Sequence, residues 1–316
     1  KTLIIYQSES DLEKLHEIVH FENRFDVQKK LKMPAMLYDI LQAMNGYQAV
    51  IVSGVEATLR NGIVKECIDK DINCYFIPHT GDVIIAGAKH LQSFSVPIMS
   101  AKRATLRPEY ALAKRTLDIL LAMIGLILAS PFMLITAVAI KAYDHGPVLY
   151  KQIRLTKDGK CFKILKFRSM RVDAEKDGVA RLAADHDDRI TPVGRIIRAI
   201  RFDELPQIIN ILMGDMSIVG PRPERPEIAA QYEQKMPAFS LRLQVKAGLT
   251  GTAQVYGRYN TEPRDKLKMD LMYINNMSLV EDLKLIFATV KILFMKESTE
   301  GVQQGQVTAE KVEKTA

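Results

Sequence analysis

This 316-residue chain contains no tryptophan, and its cysteines are few: Cys67, Cys74 and Cys161. An odd number of scattered thiols with no CxxC pair excludes a disulfide framework and points to a reducing compartment. No signal peptide is visible, because Lys1 leads straight into the strand-like TLIIY. A start at Lys rather than Met fits initiator removal or a cut boundary. Glycine is missing from the first strand-to-helix turn, Tyr6-Gln7-Ser8-Glu9-Ser10, where a dinucleotide fingerprint needs it for close pyrophosphate approach. Without a Ser-His-Asp set, an HxxxxD box or a P-loop, the chain has nothing to carry acyl or nucleotidyl transfer. It also has no recognisable nucleic-acid-binding module, so its basic character points to other partners.

What the chain does contain is one long apolar run, Ile119 to Ile140 (ILLAMIGLILASPFMLITAVAI), uncharged throughout. As a helix it would reach roughly 33 Å, near the hydrocarbon thickness of a bilayer. Ser130-Pro131 sits at its midpoint, where proline removes a backbone donor and a kink is expected. Both flanks are basic, with Lys114 and Arg115 before the run and Lys141, Lys151 and Arg154 after it. Positive charge marks the cytoplasmic side of a membrane helix, and here it marks both sides. A helix that enters, breaks at Ser130-Pro131 and returns to the same face fits better than a span or a buried core helix.

Charge is unevenly distributed. Residues 1–100 hold 10 Lys/Arg against 12 Asp/Glu, whereas the remainder holds 34 against 25. The basic part contains the apolar run, as expected for anionic lipid headgroups or a phosphorylated substrate. In the first part, strands near 2–6, 24–28, 48–53 and 73–77 alternate with helices near 8–21, 35–44 and 56–70. This pattern predicts a Rossmann-like α/β domain over 1–95, a small parallel sheet without a dinucleotide fingerprint. His16 and His20 have metal-ligand spacing but no third partner, so two surface histidines are expected.

A connector spans 96–113, and an α+β domain is expected over 114–295. Lys157-Asp158-Gly159-Lys160 reads as a hairpin turn between two basic strands within 151–171, a stretch with eight Lys/Arg and one acid. Residues 173–190 read as a polar loop, and 265–277 and 280–295 as helices, the second able to lie on a membrane surface. Residues 296–316 are too polar to pack and read as a disordered tail.

The densest chemistry lies in GRIIRAIRFDELPQIINILMGDMSIVGPRPERPE. Taken locally, Asp203-Glu204 is a helix start, with Asp203 as N-cap and Glu204 favouring the dipole. In context the pair is ringed by arginines. Arg195, Arg198 and Arg201 precede it at helical spacing, and Arg222 and Arg225 follow in a proline-stiffened PRPERP. Arginine forks suit bidentate phosphate binding, and two adjacent carboxylates among them suit phosphoryl transfer. One carboxylate can attack phosphorus, kept ionised by the arginines, while the other holds a divalent cation, naturally Mg²⁺.

Residues 114–295 resemble the bacterial sugar transferase family, the monotopic polyprenyl-phosphate phosphoglycosyl transferases that initiate surface-glycan assembly. The matching stretches are KRTLDILLAMIGLILASP, FKILKFRSM, ITPVGRIIRAIRFDELPQIINILMGDMSIVGPRPE, AGLTGTAQVYGR and KMDLMYINNMSLVEDLKLI, in family order. The N-terminal segment resembles the sheet domain of longer members, without the four membrane helices that commonly precede it.

The resemblance implies a monotopic catalytic domain with a re-entrant helix hairpin broken at Ser130-Pro131 and interfacial helices, at the cytoplasmic face of the bacterial inner membrane. It implies a ping-pong reaction in which Asp203 attacks a UDP-sugar, releases UMP and passes the phosphosugar to undecaprenyl phosphate. Glu204 would assist, chiefly at Mg²⁺. Arg198 and Arg222 match positions that organise the phosphates, with Lys166 and Arg168 of KFRSM as further substrate contacts. A homodimer is consistent with the family. The chain departs from the common pattern at Arg201-Phe202, usually Ser-Leu, and at Gly251-Thr252-Ala253, often GLW. The alternative is a catalytically silent membrane scaffold, against which the intact acidic pair argues.

Overall fold

The structure, a computed structural model, describes residues 1–16, 21–33, 37–91, 97–174, 187–257 and 261–293. It divides into two compact units, Lys1–His79 and Thr80–Ala316. The expected loop over 173–190 and the tail over 296–316 fall largely or wholly outside the described residues.

The first unit runs β1 (Thr2–Tyr6), α1 (Glu9–His16), α2 (Phe21–Arg24), β2 (Val27–Lys32), α3 (Leu37–Ala43), β3 (Ala49–Ser53), α4 (Ala57–Asp69) and β4 (Asn73–Phe76). The strands form one parallel sheet in the order β2-β1-β3-β4. Strand alternation sends Leu3, Ile5, Val50 and Val52 into one core with Ile63 and Cys67, and Ile4, Tyr6 and Ile51 into another with Leu15 and Phe21. A sheet buried on both faces is what makes β1 and β3 continuous apolar runs. The strand expected near 24–28 lies instead at 27–32. Its sequence, VQKKLK, has only two apolar residues, and lysines on an edge strand also discourage pairing with another chain.

The second unit contains α5 (Thr80–Ala86), β5 (Lys89–Leu91), β6 (Ile98–Ser100), α6 (Pro108–Asp144), β7 (Leu149–Leu155) and β8 (Cys161–Phe167). It continues with α7 (Pro192–Ala199), α8 (Gln207–Met213), β9 (Ser217–Val219), α9 (Pro226–Lys235), β10 (Gly248–Thr250), α10 (Thr252–Val255), α11 (Pro263–Asn275) and α12 (Leu279–Leu293). Residues 80–91, read from sequence with the first domain, pack here. Val83 is buried with Leu267, Leu271 and Ile274, and its carbonyl accepts from Asn275 Nδ2 at 2.7 Å. β7 and β8 form the expected antiparallel hairpin, turning through Asp158 and Gly159, both at positive φ.

α6 is long and apolar enough to cross a membrane and little of it is buried. Ile127, Leu128, Leu134 and Ile135 are 66 to 69 % exposed, an apolar surface suited to lipid rather than water. The helical element continues through Pro131. Proline cannot serve the Ile127 carbonyl, and the Ser130 hydroxyl donates to that oxygen at 2.8 Å instead. Both ends of α6 are tied to the second unit. Near its start, Lys114 pairs with the buried Asp282 at 2.9 Å, Arg115 donates to the Ile211 and Leu212 carbonyls, and Asp118 accepts from the Ile218 amide. At its end, Asp144 pairs with Arg168. α12 is apolar on two sides: Leu285 is fully buried while Val280, Phe287 and Val290 are exposed.

Candidate active site

α7 begins at an N-cap made by Thr191, whose hydroxyl accepts from the Gly194 amide at 2.9 Å. Gly194 is required because a Cβ there would strike the Ser169 carbonyl. The chain leaves α7 through Arg201 in the left-handed region (φ 60°), then makes a 3₁₀ turn, Phe202–Glu204. α8 starts only at Gln207, without a side-chain cap. The helix-start reading of Asp203 is therefore corrected: its carboxylate caps no helix. Apolar anchors fix the turn, since Phe202 and Leu205 pack against Ile140, Phe167 and Ile197.

The two carboxylates differ. Glu204 Oε1 accepts from Lys166 Nζ at 2.9 Å and Arg222 Nη2 at 3.0 Å. Burial works to raise its pKa, but Lys166 and Arg222 outweigh burial and hold it well below the usual carboxylate range. Asp203 has no hydrogen-bond partner among the described residues. Burial, and then the charge of Glu204, push its carboxyl upward; Lys166, Arg198 and Arg201 oppose this without prevailing. Arg198 and Arg201 thus favour the ionised form of Asp203, while the larger stabilisation, from Lys166 and Arg222, falls on Glu204.

Lys166 is positioned by β8, whose Leu165 amide and Lys163 carbonyl bond to the buried Asn210 side chain, each at 2.9 Å. Arg222 is positioned by a loop in which four successive carbonyls each have a donor. Gly248 N reaches Pro221 O, Arg242 reaches Arg222 O, Arg154 reaches Pro223 O and Leu155 N reaches Glu224 O, at 2.9 to 3.0 Å. Arg242 is itself paired with the buried Asp270 at 2.8 Å.

Among the other residues singled out, Arg198 lies on α7, and its charge reaches Asp203. Arg195 is exposed on the same helix, and Arg201 stands beyond its end. Arg225 occupies the N-cap of α9. Arg168 is engaged elsewhere, 7 % exposed, holding Asp144 and donating to the Pro147 carbonyl at 2.7 Å. His20 lies outside the described residues. Among the described residues no His, Cys, Asp or Glu joins Asp203 and Glu204 in a three-ligand metal cluster. The pair still fits a cation of the Mg²⁺ type, which takes one or two carboxylate oxygens and completes its shell with phosphate and water. Sequence reading missed Arg154, Gln207, Asn210, Arg242 and Asp270. Only Arg154 carried a signal, as one charge in the basic strip over 151–171.

A cation-flanked carboxylate pair, on a unit bearing a membrane-length helix, defines a membrane-associated protein built to handle phosphate groups. The bacterial sugar transferase profile matches residues 109–296, more than half of the chain, and the chain belongs to that family. It is 44 % identical over 189 residues to a UDP-N-acetylgalactosamine-undecaprenyl-phosphate N-acetylgalactosaminephosphotransferase of Aeromonas hydrophila, covering 59 % of this chain and 44 % of that protein. It is 37 % identical over 248 residues to a UDP-glucose:undecaprenyl-phosphate glucose-1-phosphate transferase of Klebsiella pneumoniae, covering 77 % of this chain and 53 % of the relative. A protein of the same description from Caulobacter vibrioides is 41 % identical over 211 residues, 63 % of this chain and 79 % of its own length. The chain thus spans about half the length of the first two relatives. Family membership and α6 place it on the inner membrane as a monotopic protein, with the second unit on the cytoplasmic face.

Proposed function

We propose that this protein transfers a sugar 1-phosphate from a UDP-sugar to undecaprenyl phosphate, as the first membrane step of surface-glycan assembly. The observation that carries this reading is the asymmetry of the acidic pair. Glu204 is fixed and ionised between Lys166 and Arg222, while Asp203 beside it has no hydrogen-bond partner among the described residues. An unpartnered carboxylate next to cations that can hold phosphate oxygens suits nucleophilic attack on phosphorus.

In the first half-reaction an Asp203 oxygen bonds to the β-phosphorus, and the bond from that phosphorus to the bridging oxygen breaks. The electron pair departs with UMP, leaving a phosphosugar on Asp203. In the second, a phosphate oxygen of the polyprenyl phosphate bonds to the same phosphorus and the Asp203 carboxylate is regenerated. Lys166, Arg222 and Arg198 neutralise charge on the phosphates. Asp203 and Glu204 would hold Mg²⁺, which supplies further charge neutralisation when bound.

α6 is read as re-entrant at Ser130-Pro131. The attachment of both its ends to one unit and the basic residues on both flanks support this. A homodimer also belongs to this reading.

The test is UMP release from a panel of UDP-sugars in lipid nanodiscs with Mg²⁺, with and without undecaprenyl phosphate. Sustained release only with the lipid, strongest for one sugar, is expected and names the sugar. No release from any of them would favour a silent scaffold.

A further inference from the structure

Beside Glu204 the second unit has a small pocket lined by Arg154, Ile164, Lys166, Gln207, Arg222 and Pro223. Gln207 is 3 % exposed, yet its amide makes no hydrogen bond among the described residues. Gln207 lines the pocket, so its amide can donate to or accept from a ligand that enters there. Arg154 adds donors. A guanidinium has five N–H groups, and among the described residues those of Arg154 engage Gln152 Oε1 twice and the Pro223 carbonyl once, leaving two. Glu224 is 3.9 Å away, too far for a hydrogen bond. Burial, with the charges of Arg222 and Arg225 adding to it, draws the Arg154 guanidinium down to about 10 against the pull of Glu224. An anion in the pocket would relieve that crowding.

We infer that this pocket, through Gln207 and Arg154 beside Lys166 and Arg222, is a phosphate-monoester subsite. It holds the phosphate of UMP as it leaves and then that of the polyprenyl acceptor as it arrives. The inference rests on the proposed reaction. At phosphorus the entering and leaving oxygens lie roughly in line. Asp203 is the entering group in the first half-reaction and the leaving group in the second. The UMP oxygen that departs and the acceptor oxygen that attacks therefore lie on the same side of phosphorus, opposite Asp203. One pocket serves both, in turn.

The experiment uses the full chain in lipid nanodiscs, with UMP and a short-chain polyprenyl phosphate as probes. Exchange of labelled UMP into UDP-sugar without lipid reads the first half-reaction, and lipid product formation reads the second. Gln207→Leu keeps the bulk and removes the amide, while Gln207→Glu puts a negative charge in the pocket. In Gln207→Leu the inhibition constant of UMP and the KM for polyprenyl phosphate should both rise on the order of tenfold or more, and further in Gln207→Glu. If a variant with unchanged melting moves neither constant, the subsite is wrong; if it moves only one, the shared use is wrong. Should both variants fail to fold, equilibrium binding to the wild type decides: UMP must displace polyprenyl phosphate competitively, and simultaneous binding overturns the inference. If the wild type releases no UMP from any sugar nucleotide but the two probes still compete through Gln207, the anion site stands and the reaction reading falls.

Discussion

Two acids, one in each unit, follow a turn that a ligand could occupy, and the fold treats them in opposite ways. In the first unit Asp11 lies just past the carboxyl end of β1, where open α/β sheets bind ligands. Its Oδ2 is tied to the turn, accepting from the Ser8 hydroxyl at 2.6 Å and the Ser8 amide at 3.1 Å, while the Asp11 amide donates to Ser8 Oγ. The Asp11 carbonyl takes the Ser53 hydroxyl at 2.9 Å, and its carboxylate fills the space that any side chain on Gly54 (φ 72°) would need. In the second unit Asp203 has no hydrogen-bond partner among the described residues, and burial beside Glu204 raises its pKa. Both turns lack a phosphate-binding glycine motif. What separates them is whether the carboxylate is tied to its own turn: that of Asp11 is, and that of Asp203, among the described residues, is not.

That contrast can be broken in four ways, from the largest effect to the smallest. Asp203→Asn should lower turnover on the order of 10⁴-fold or more and abolish the covalent phosphosugar adduct. Its melting at neutral pH should hold or rise, because a raised carboxylate pKa means the ionised form costs stability. Normal turnover in this variant would remove Asp203 as nucleophile. Glu204→Gln should lower kcat on the order of 10²- to 10³-fold, since Lys166 and Arg222 lose the charge that fixes them; an equal loss in Glu204→Asp would point to geometry rather than charge.

The third concerns pH. Attack needs ionised Asp203, so the first half-reaction should fade as pH falls through a pKa above the ordinary aspartate value. Removing the Glu204 charge takes away one cause of the rise, so in Glu204→Gln the acid limb should move to lower pH. A limb that stays in place would mean another group titrates. The smallest effect belongs to the first unit. Ser8→Ala should destabilise the start of α1 by about 1 kcal/mol, seen as faster amide exchange at Asp11, with UMP release unchanged.

The same contrast explains what could be read in advance. β1 and β3 were legible because a doubly covered parallel strand is apolar on both faces, as in their LII and AVIV runs. β2 was displaced because an exposed edge strand carries lysines where the pattern needs valines. The apolar run of α6 was legible by length, and the acidic pair by the arginines around it. The distribution of those arginines was not. It depends on Arg201 adopting a left-handed conformation, and on Arg168 being drawn to Asp144, 24 positions earlier. Gln207 belongs to no pattern at all; only burial among three cations gives it meaning.

The PRPERP loop, with four successive carbonyls bonded to β7, Arg242 and Gly248, has a kinetic consequence. A loop already shaped before substrate arrives has little ordering entropy to lose on binding, so association should proceed without a slow loop-ordering phase. Two of the donors are backbone amides, Gly248 and Leu155. Hydrogen exchange at these two amides should accordingly be slow in the substrate-free protein and change little when a sugar nucleotide is added.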